Sequence, residues 1–247
     1  MTYCVAIKLN EGLVFASDSR TNAGVDHVNT YSKMFSFQVP GERLFVILTA
    51  GNLATTQAVI NSIRRDFDDP DAPVSLRTAE HLFEAAHYVG ELNRREAHRH
   101  STDDGPDQAS FLPSASFLLG GQIKGQDHDV FMIYPQGNYI TASPANPYLQ
   151  IGENKYGKPI LDRIIALEMP LDDAARCALV SLDSTMRSNV SVGPPFELAI
   201  YRRGEFELAH YLNLTLASPL YKSLQKRWNE GLRRAFNRLP RFDWEQD

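Results

Sequence analysis

Cysteine is nearly absent. Cys4 and Cys177 are the only two in 247 residues, too few for a framework of several disulfides. Cys4 falls in an apolar run and Cys177 in a helical pattern, so both are expected as buried free thiols. Long hydrophobic runs are missing too. No stretch approaches the ~20 apolar residues of a bilayer-crossing helix. The opening Met1-Thr2-Tyr3-Cys4 has neither the charged start nor the apolar core of a secretory signal, so a cytoplasmic location is expected. No excess of positive charge exists either. Twenty-five Lys and Arg against 30 Asp and Glu leave a net charge of −5, which gives no general electrostatic basis for binding nucleic acid or an acidic membrane. There is no P-loop, no G-x-G-x-x-G, no G-x-S-x-G and no H-E-x-x-H.

What is present is ordinary globular material. Hydrophobic residues make up 43% of the chain, enough at this length to build a core without covalent staples. Tyr3, Val5, Ile7 and Leu9 alternate with smaller or polar residues, as in a half-buried strand. Asn10-Glu11-Gly12 turns the chain into a second apolar strand, giving a hairpin. Further strands are expected at residues 34–39 and 44–48. Helical spacing follows from Leu53 to Phe67 and again over 78–98, before a polar loop at 101–113 rich in Gly and Pro. Strands at 115–123, 130–134 and 148–151 precede helices over 158–166 and 171–186, with Asp172 and Asp173 favouring the start of the second. A hairpin at 196–201 and 206–212 leads to a basic amphipathic helix over about 219–237, with Ser218 as N-cap and Pro219 in the first turn. Without repeat or linker, residues 1–247 read as a single layered α+β domain.

Most short signals in this chain have ordinary explanations. His98-Arg99-His100 with Asp103 and Asp104 reads as a solvated loop, since two nearby histidines do not define a metal site. Asp68, Asp69 and Asp71 lack the Gly and final Glu of a calcium loop and read as a turn. Ser223-Leu224-Gln225-Lys226 fits S-x-x-K but lacks the partner motifs of that hydrolase class. No metal or organic cofactor is expected.

The N-terminus is more informative. Removing Met1 would expose Thr2 with a free α-amine, and such a residue holds both halves of a nucleophilic pair. Its Oγ1 attacks, and its own amine takes the proton. An α-amine titrates near ~7.7–8.0, leaving a sizeable neutral fraction at neutral pH. The second strand ends Ala16-Ser17-Asp18-Ser19-Arg20, which returns Asp18 to Thr2 across the hairpin. Lys33 precedes another short strand. Thr49-Ala50-Gly51-Asn52 ends a buried strand at a helix start, where a backbone N–H is free to point at an oxyanion.

In these features the sequence resembles the proteasome-type peptidases of the N-terminal-nucleophile fold. The matches are Thr2, Ala16 to Arg20, Lys33 and Ala50-Gly51, continued by Phe117 to Gly121, Ile151-Gly152-Glu153 and Arg187 to Gly193. Within that group it is most similar to the bacterial ancestral β-subunits, called Anbu, through the absent propeptide, the run Gly152 to Pro159, and Ser184 to Ser188. The long C-terminal helix also fits. The resemblance implies a four-layer αββα sandwich, a large homo-oligomer and hydrolysis of amide bonds in peptides or unfolded polypeptide, with any unfoldase partner unknown.

It further implies Thr2 as nucleophile and Lys33 as the charge beside it, held by Asp18. Gly51 would be the oxyanion donor, and Ser191 would orient the threonine amine. Two positions depart from the family pattern. Ser188 stands where an Asp is usual, and Glu153 where a Ser is. Glu153 either replaces the lost acceptor or forms a surface ion pair with Lys155. Two other readings are an amidohydrolase acting on a small amide and a catalytically silent assembly subunit, the latter favoured if Met1 stays attached.

Overall fold

The computed structural model describes residues 2–22, 28–99 and 114–245. Met1, the loop expected at 101–113, and His100, Asp103 and Asp104 lie outside them.

The chain opens with a hairpin of β1 (Tyr3–Leu9) and β2 (Gly12–Asp18), joined at the expected turn. A small ribbon follows, β3 (Arg20–Asn22) against β4 (Val28–Thr30). Its strands are too short to show periodicity. β5 (Met34–Val39) and β6 (Arg43–Gly51) form a second hairpin, and α1 (Leu53–Asp68) and α2 (Leu82–Arg99) come next. The middle of the chain supplies β7 (Ala115–Ile123), β8 (Asp129–Ile133), β9 (Tyr139–Thr141) and β10 (Tyr148–Gly152). Then come α3 (Lys158–Ile164), α4 (Leu171–Ser188), β11 (Phe196–Arg202), β12 (Leu208–Leu214) and α5 (Pro219–Phe236). The result is a mixed α and β fold with two five-stranded antiparallel sheets, ordered β10-β1-β2-β11-β12 and β5-β6-β7-β8-β9.

Three apolar clusters explain the arrangement. Tyr3, Val5 and Ile7 of β1 pack with Leu161 of α3 and Ala174, Ala178 and Leu182 of α4. Phe45 and Ile47 of β6 pack with Val59 and Ile63 of α1 and Val89 of α2. The third cluster joins the sheets: Cys4, Ala6, Leu13 and Phe15 from one meet Leu44, Val46, Leu48 and Leu118 from the other. β1 is therefore buried on both faces rather than on one. The residues that looked like its solvent face, Cys4 and Ala6, are small enough to lie between two sheets.

Two boundaries move for local reasons. α2 begins at Leu82 rather than near 78, because the Ser75 and Thr78 side chains each bind the other's backbone N–H in a turn, and the Glu84 carboxylate accepts from the N–H groups of Glu80 and His81. Ser218 stands at the N-cap of α5, but its hydroxyl accepts from the Thr215 N–H at 2.9 Å instead of capping the helix. Both cysteines are buried and free. No helix among the described residues is long and apolar enough to cross a membrane.

Candidate active site

Thr2 sits just ahead of β1 and is held by backbone. Its carbonyl accepts from the Glu153 N–H at 2.6 Å, and the next N–H, from Tyr3, donates to Asp18 Oδ1 at 3.0 Å. Tyr3 pairs with Gly152 across the sheet. This approach requires glycine at 152: its φ is +84°, and a Cβ there would stand 2.0 Å from the Thr2 carbonyl oxygen. Thr2 is thus clamped between the end of β10 and the end of β2.

Asp18 is fully buried. Besides Tyr3, its carboxylate accepts from Lys33 Nζ at 2.6 Å and from the Gly193 N–H at 3.2 Å. Burial pushes the Asp18 carboxyl up from its ordinary range, and the Lys33 ammonium pulls against that. Lys33 Nζ also donates to the Arg20 carbonyl at 2.7 Å, so its ammonium is held from two sides. One lysine, one carboxylate and two backbone N–H groups form a buried charge pair whose hydrogen bonds are satisfied, the condition under which such a pair is tolerable.

A second buried carboxylate, which the sequence reading missed, stands behind Lys33. Glu197 on β11 accepts from the Lys33 N–H at 3.2 Å, from Ser32 Oγ at 2.8 Å, from Ser17 Oγ at 3.4 Å and from the Tyr211 hydroxyl at 2.5 Å. Its only sequence signal is a charge inside Phe196-Glu197-Leu198, and in an alternating strand such a residue is assigned to solvent.

Thr2, Lys33, Thr49, Gly51 and Gly152 line one cavity of about 660 Å³, walled on the far side by α1. Gly51 ends β6 with φ +111°, and a Cβ there would meet the Ser114 carbonyl oxygen at 2.4 Å. Asn52 then caps α1, its side chain accepting from the Thr55 N–H. The strand-to-helix switch thereby presents backbone at the cavity.

Asp18 does not line that cavity and reaches it through Lys33. Ser191 does not line it either. It lies in the loop between α4 and β11, where its N–H donates to Asn189 Oδ1 at 2.9 Å. Asn189 in turn donates to Glu153 Oε2 at 3.0 Å, while Glu153 Oε1 accepts from the Lys155 N–H. Glu153 is therefore a buried hydrogen-bond acceptor and not a surface partner of the Lys155 ammonium. Ser188 is exposed at the end of α4. The link from Glu153 through Asn189 to the Ser191 backbone was not legible in the sequence, because two distant segments supply it.

The other candidates behave as ordinary structure. Asp69 accepts from the Asp71 N–H, making a turn. Ser223 and Lys226 are exposed on α5. Among the described residues no group of three or more His, Cys, Asp or Glu side chains could hold a metal.

Neither protein-family models nor curated proteins give a match to the chain. Solved structures do. Anbu (ancestral β-subunit) from Yersinia bercovieri is 47% identical, with a TM-score of 0.91 over 98% of this chain and 99% of that one. The helical assembly of the Anbu complex from Pseudomonas aeruginosa matches at 44% identity and a TM-score of 0.90, over 99% of this chain and 100% of that one. A Gly-1 mutant of Anbu from Hyphomicrobium sp. strain MC1 matches at 42% identity and 0.90, over 98% of this chain and 100% of that one.

The chain belongs to the Anbu family. The buried Asp18–Lys33 pair puts a fixed positive charge on the wall of the cavity that Thr2 shares, and such a charge favours the deprotonated form of a nearby hydroxyl. Backbone at Gly51 faces the same cavity, and the first turn of α1 adds the positive end of a helix.

Proposed function

We propose that the chain is a threonine-type peptidase of the proteasome kind, active once Met1 is removed. The observation that carries this reading is the opening of Thr2 onto one cavity with Lys33 and Gly51. Thr2 Oγ1 attacks the scissile carbonyl while the Thr2 amine takes its proton. The Lys33 ammonium, oriented by Asp18, lowers the cost of the developing alkoxide. The Gly51 N–H receives the oxyanion, an interaction worth roughly 2.7–4 kcal/mol in comparable acyl-transfer sites. The protonated amine then gives its proton to the leaving nitrogen. An ester on Thr2 remains, and water attacks it with the amine again as base. Ser191 acts through the Asn189–Glu153 link to shape the surroundings of the amine.

The fold proposed for this chemistry is a single-domain αββα sandwich spanning residues 1–247. The three apolar clusters support it, each filling one interface between successive layers. The subunits assemble into a large homo-oligomer that limits entry to cytoplasmic peptides or unfolded chains.

The test combines two measurements. Intact mass spectrometry of purified protein is expected to show loss of Met1. A threonine-directed electrophile is expected to add once to wild type and not at all to Thr2→Ala. A mature chain that always retains Met1, or labelling that persists in the variant, would sink the mechanism.

A further inference from the structure

Beside Lys33, the cavity at Thr2 has one other cationic wall residue, Arg64, and no carboxylate among its described lining residues. The two cations differ in kind. Lys33 Nζ is occupied by Asp18 and the Arg20 carbonyl. Arg64 makes no ion pair with any described residue, while its neighbour Arg65 pairs with Asp66 at 2.7 Å. What holds Arg64 is an aromatic face: its guanidinium carbon lies 5.2 Å from the centroid of Phe35, another cavity residue. A cation–π contact of that kind restrains the group and leaves its N–H donors for a ligand.

Its place on α1 sets the reach. Leu53, Gln57, Ile60 and Arg64 share the helix face toward the cavity. Arg64 stands about three turns, or ~16 Å of helical rise, beyond Leu53. Helical side chains lean toward the N-terminus, so the guanidinium reaches back along α1 from the Arg64 backbone. The other polar side chains of the wall, among them Thr49, Thr56, Gln57 and Asn61, are neutral. With Lys33 balanced by Asp18, the uncompensated charge on the described wall is that of Arg64, which favours an anion, and a planar guanidinium matches a carboxylate in a two-pronged bond.

We propose that Arg64 is a specificity-determining residue that selects ligands bearing a carboxylate at the end of the cavity away from Thr2. The source is an acidic side chain or a free C-terminal carboxylate within a few residues of the amide bond. This deepens the proposed cleavage at Thr2 and rests on it for the fate of the ligand, but its own claim is one of binding.

The test is equilibrium binding to full-length Thr2→Ala protein, which leaves peptides intact. The probes are rhodamine-tagged peptides read by anisotropy: one amidated at its C-terminus with a single Glu, its Gln twin, and an acid-free sequence with either a free or an amidated C-terminus. At least one acid is expected to bind about tenfold tighter than its neutral twin. Which acid does so identifies the source. The gap should close in Arg64→Gln and turn toward a Lys-containing peptide in Arg64→Glu. Circular dichroism and thermal melting of each variant guard against misfolding. Equal affinities within every pair, no saturable binding of any peptide, or an acid preference that survives Arg64→Glu overturns the inference. Acid preference in a wild-type protein whose Thr2 is never acylated would overturn the proposed cleavage and leave Arg64 standing; acylation without preference does the reverse.

Discussion

Glu197 makes the Asp18–Lys33 pair sensitive to residues far from the cavity. Its carboxylate collects donors from β2, from the segment before β5 and from β12, and one of them is the backbone N–H of Lys33. Glu197→Ala leaves two buried donors, the Ser17 hydroxyl and the Lys33 N–H, without this acceptor, at about 1–3 kcal/mol each where no water replaces it. The expected outcome is a marked loss of thermal stability together with slower electrophile labelling of Thr2. Tyr211→Phe, at a half-exposed position, removes one donor and should cost about 1 kcal/mol or less. If labelling of Glu197→Ala matched wild type, Glu197 would be a core polar group with no bearing on Lys33.

The cysteines give a pH signature at the same scale. Burial pushes the Cys177 thiol up to about 12 and the Cys4 thiol well above its usual range. In the unfolded chain both titrate near ~8.5. Above that pH the unfolded state sheds protons that the native state keeps, so stability falls as pH rises, by about 1.4 kcal/mol per unit for each thiol. Below it the contribution is fully present and flat. Urea melts between pH 8 and 9, below the range in which unfolded tyrosines ionise, should show this limb, and Cys177→Ala should roughly halve its slope. An unchanged slope would mean that the Cys177 thiol is not held protonated.

Among the elements, α5 is the most lightly attached. Of its residues only Tyr221 is buried, and the bonds that reach it from Asp183 of α4 are those of the Tyr221 hydroxyl at 2.7 Å and the Gln225 amide at 2.6 Å. Tyr221→Ala is expected to cost about 3–5 kcal/mol and to release the helix. Hydrogen exchange over 222–236 should then rise to the rate of an open segment while α4 stays protected. The elements also show how legible the fold was. β5 and β7 were readable to the residue, because apolar runs bounded by turns leave little choice. β3, β4 and β9 were not, since three-residue strands carry no period. The Thr2, Asp18, Lys33 and Gly51 positions were legible because each sits at the end of a strand with a clear pattern. Glu197, Asn189 and Gly193 were hidden because their roles depend on which distant segments the topology brings beside them.

For the molecule as a whole, the decisive fact is the mixing of chain segments within one sheet. The order β10-β1-β2-β11-β12 places strands from both ends of the sequence side by side. Neither half of the chain can complete that sheet alone, and pairings of such sequence separation fold slowly. A single calorimetric transition is expected, and fragments 1–142 and 143–247 should each fail to fold in isolation. Two separate transitions would contradict the single-domain reading.

The grip of backbone on Thr2 bears on how the site can vary. Strand β1 is pinned on one side to β2 and on the other to β10, in a register that sets Tyr3 opposite Gly152 and Cys4 opposite Ser17. Side chains change face at every step along a strand. The nucleophile's position is thus a matter of counting: one residue added or lost within β1 would send Thr2 to the opposite face, however perfectly the cavity, Lys33 and Asp18 were preserved.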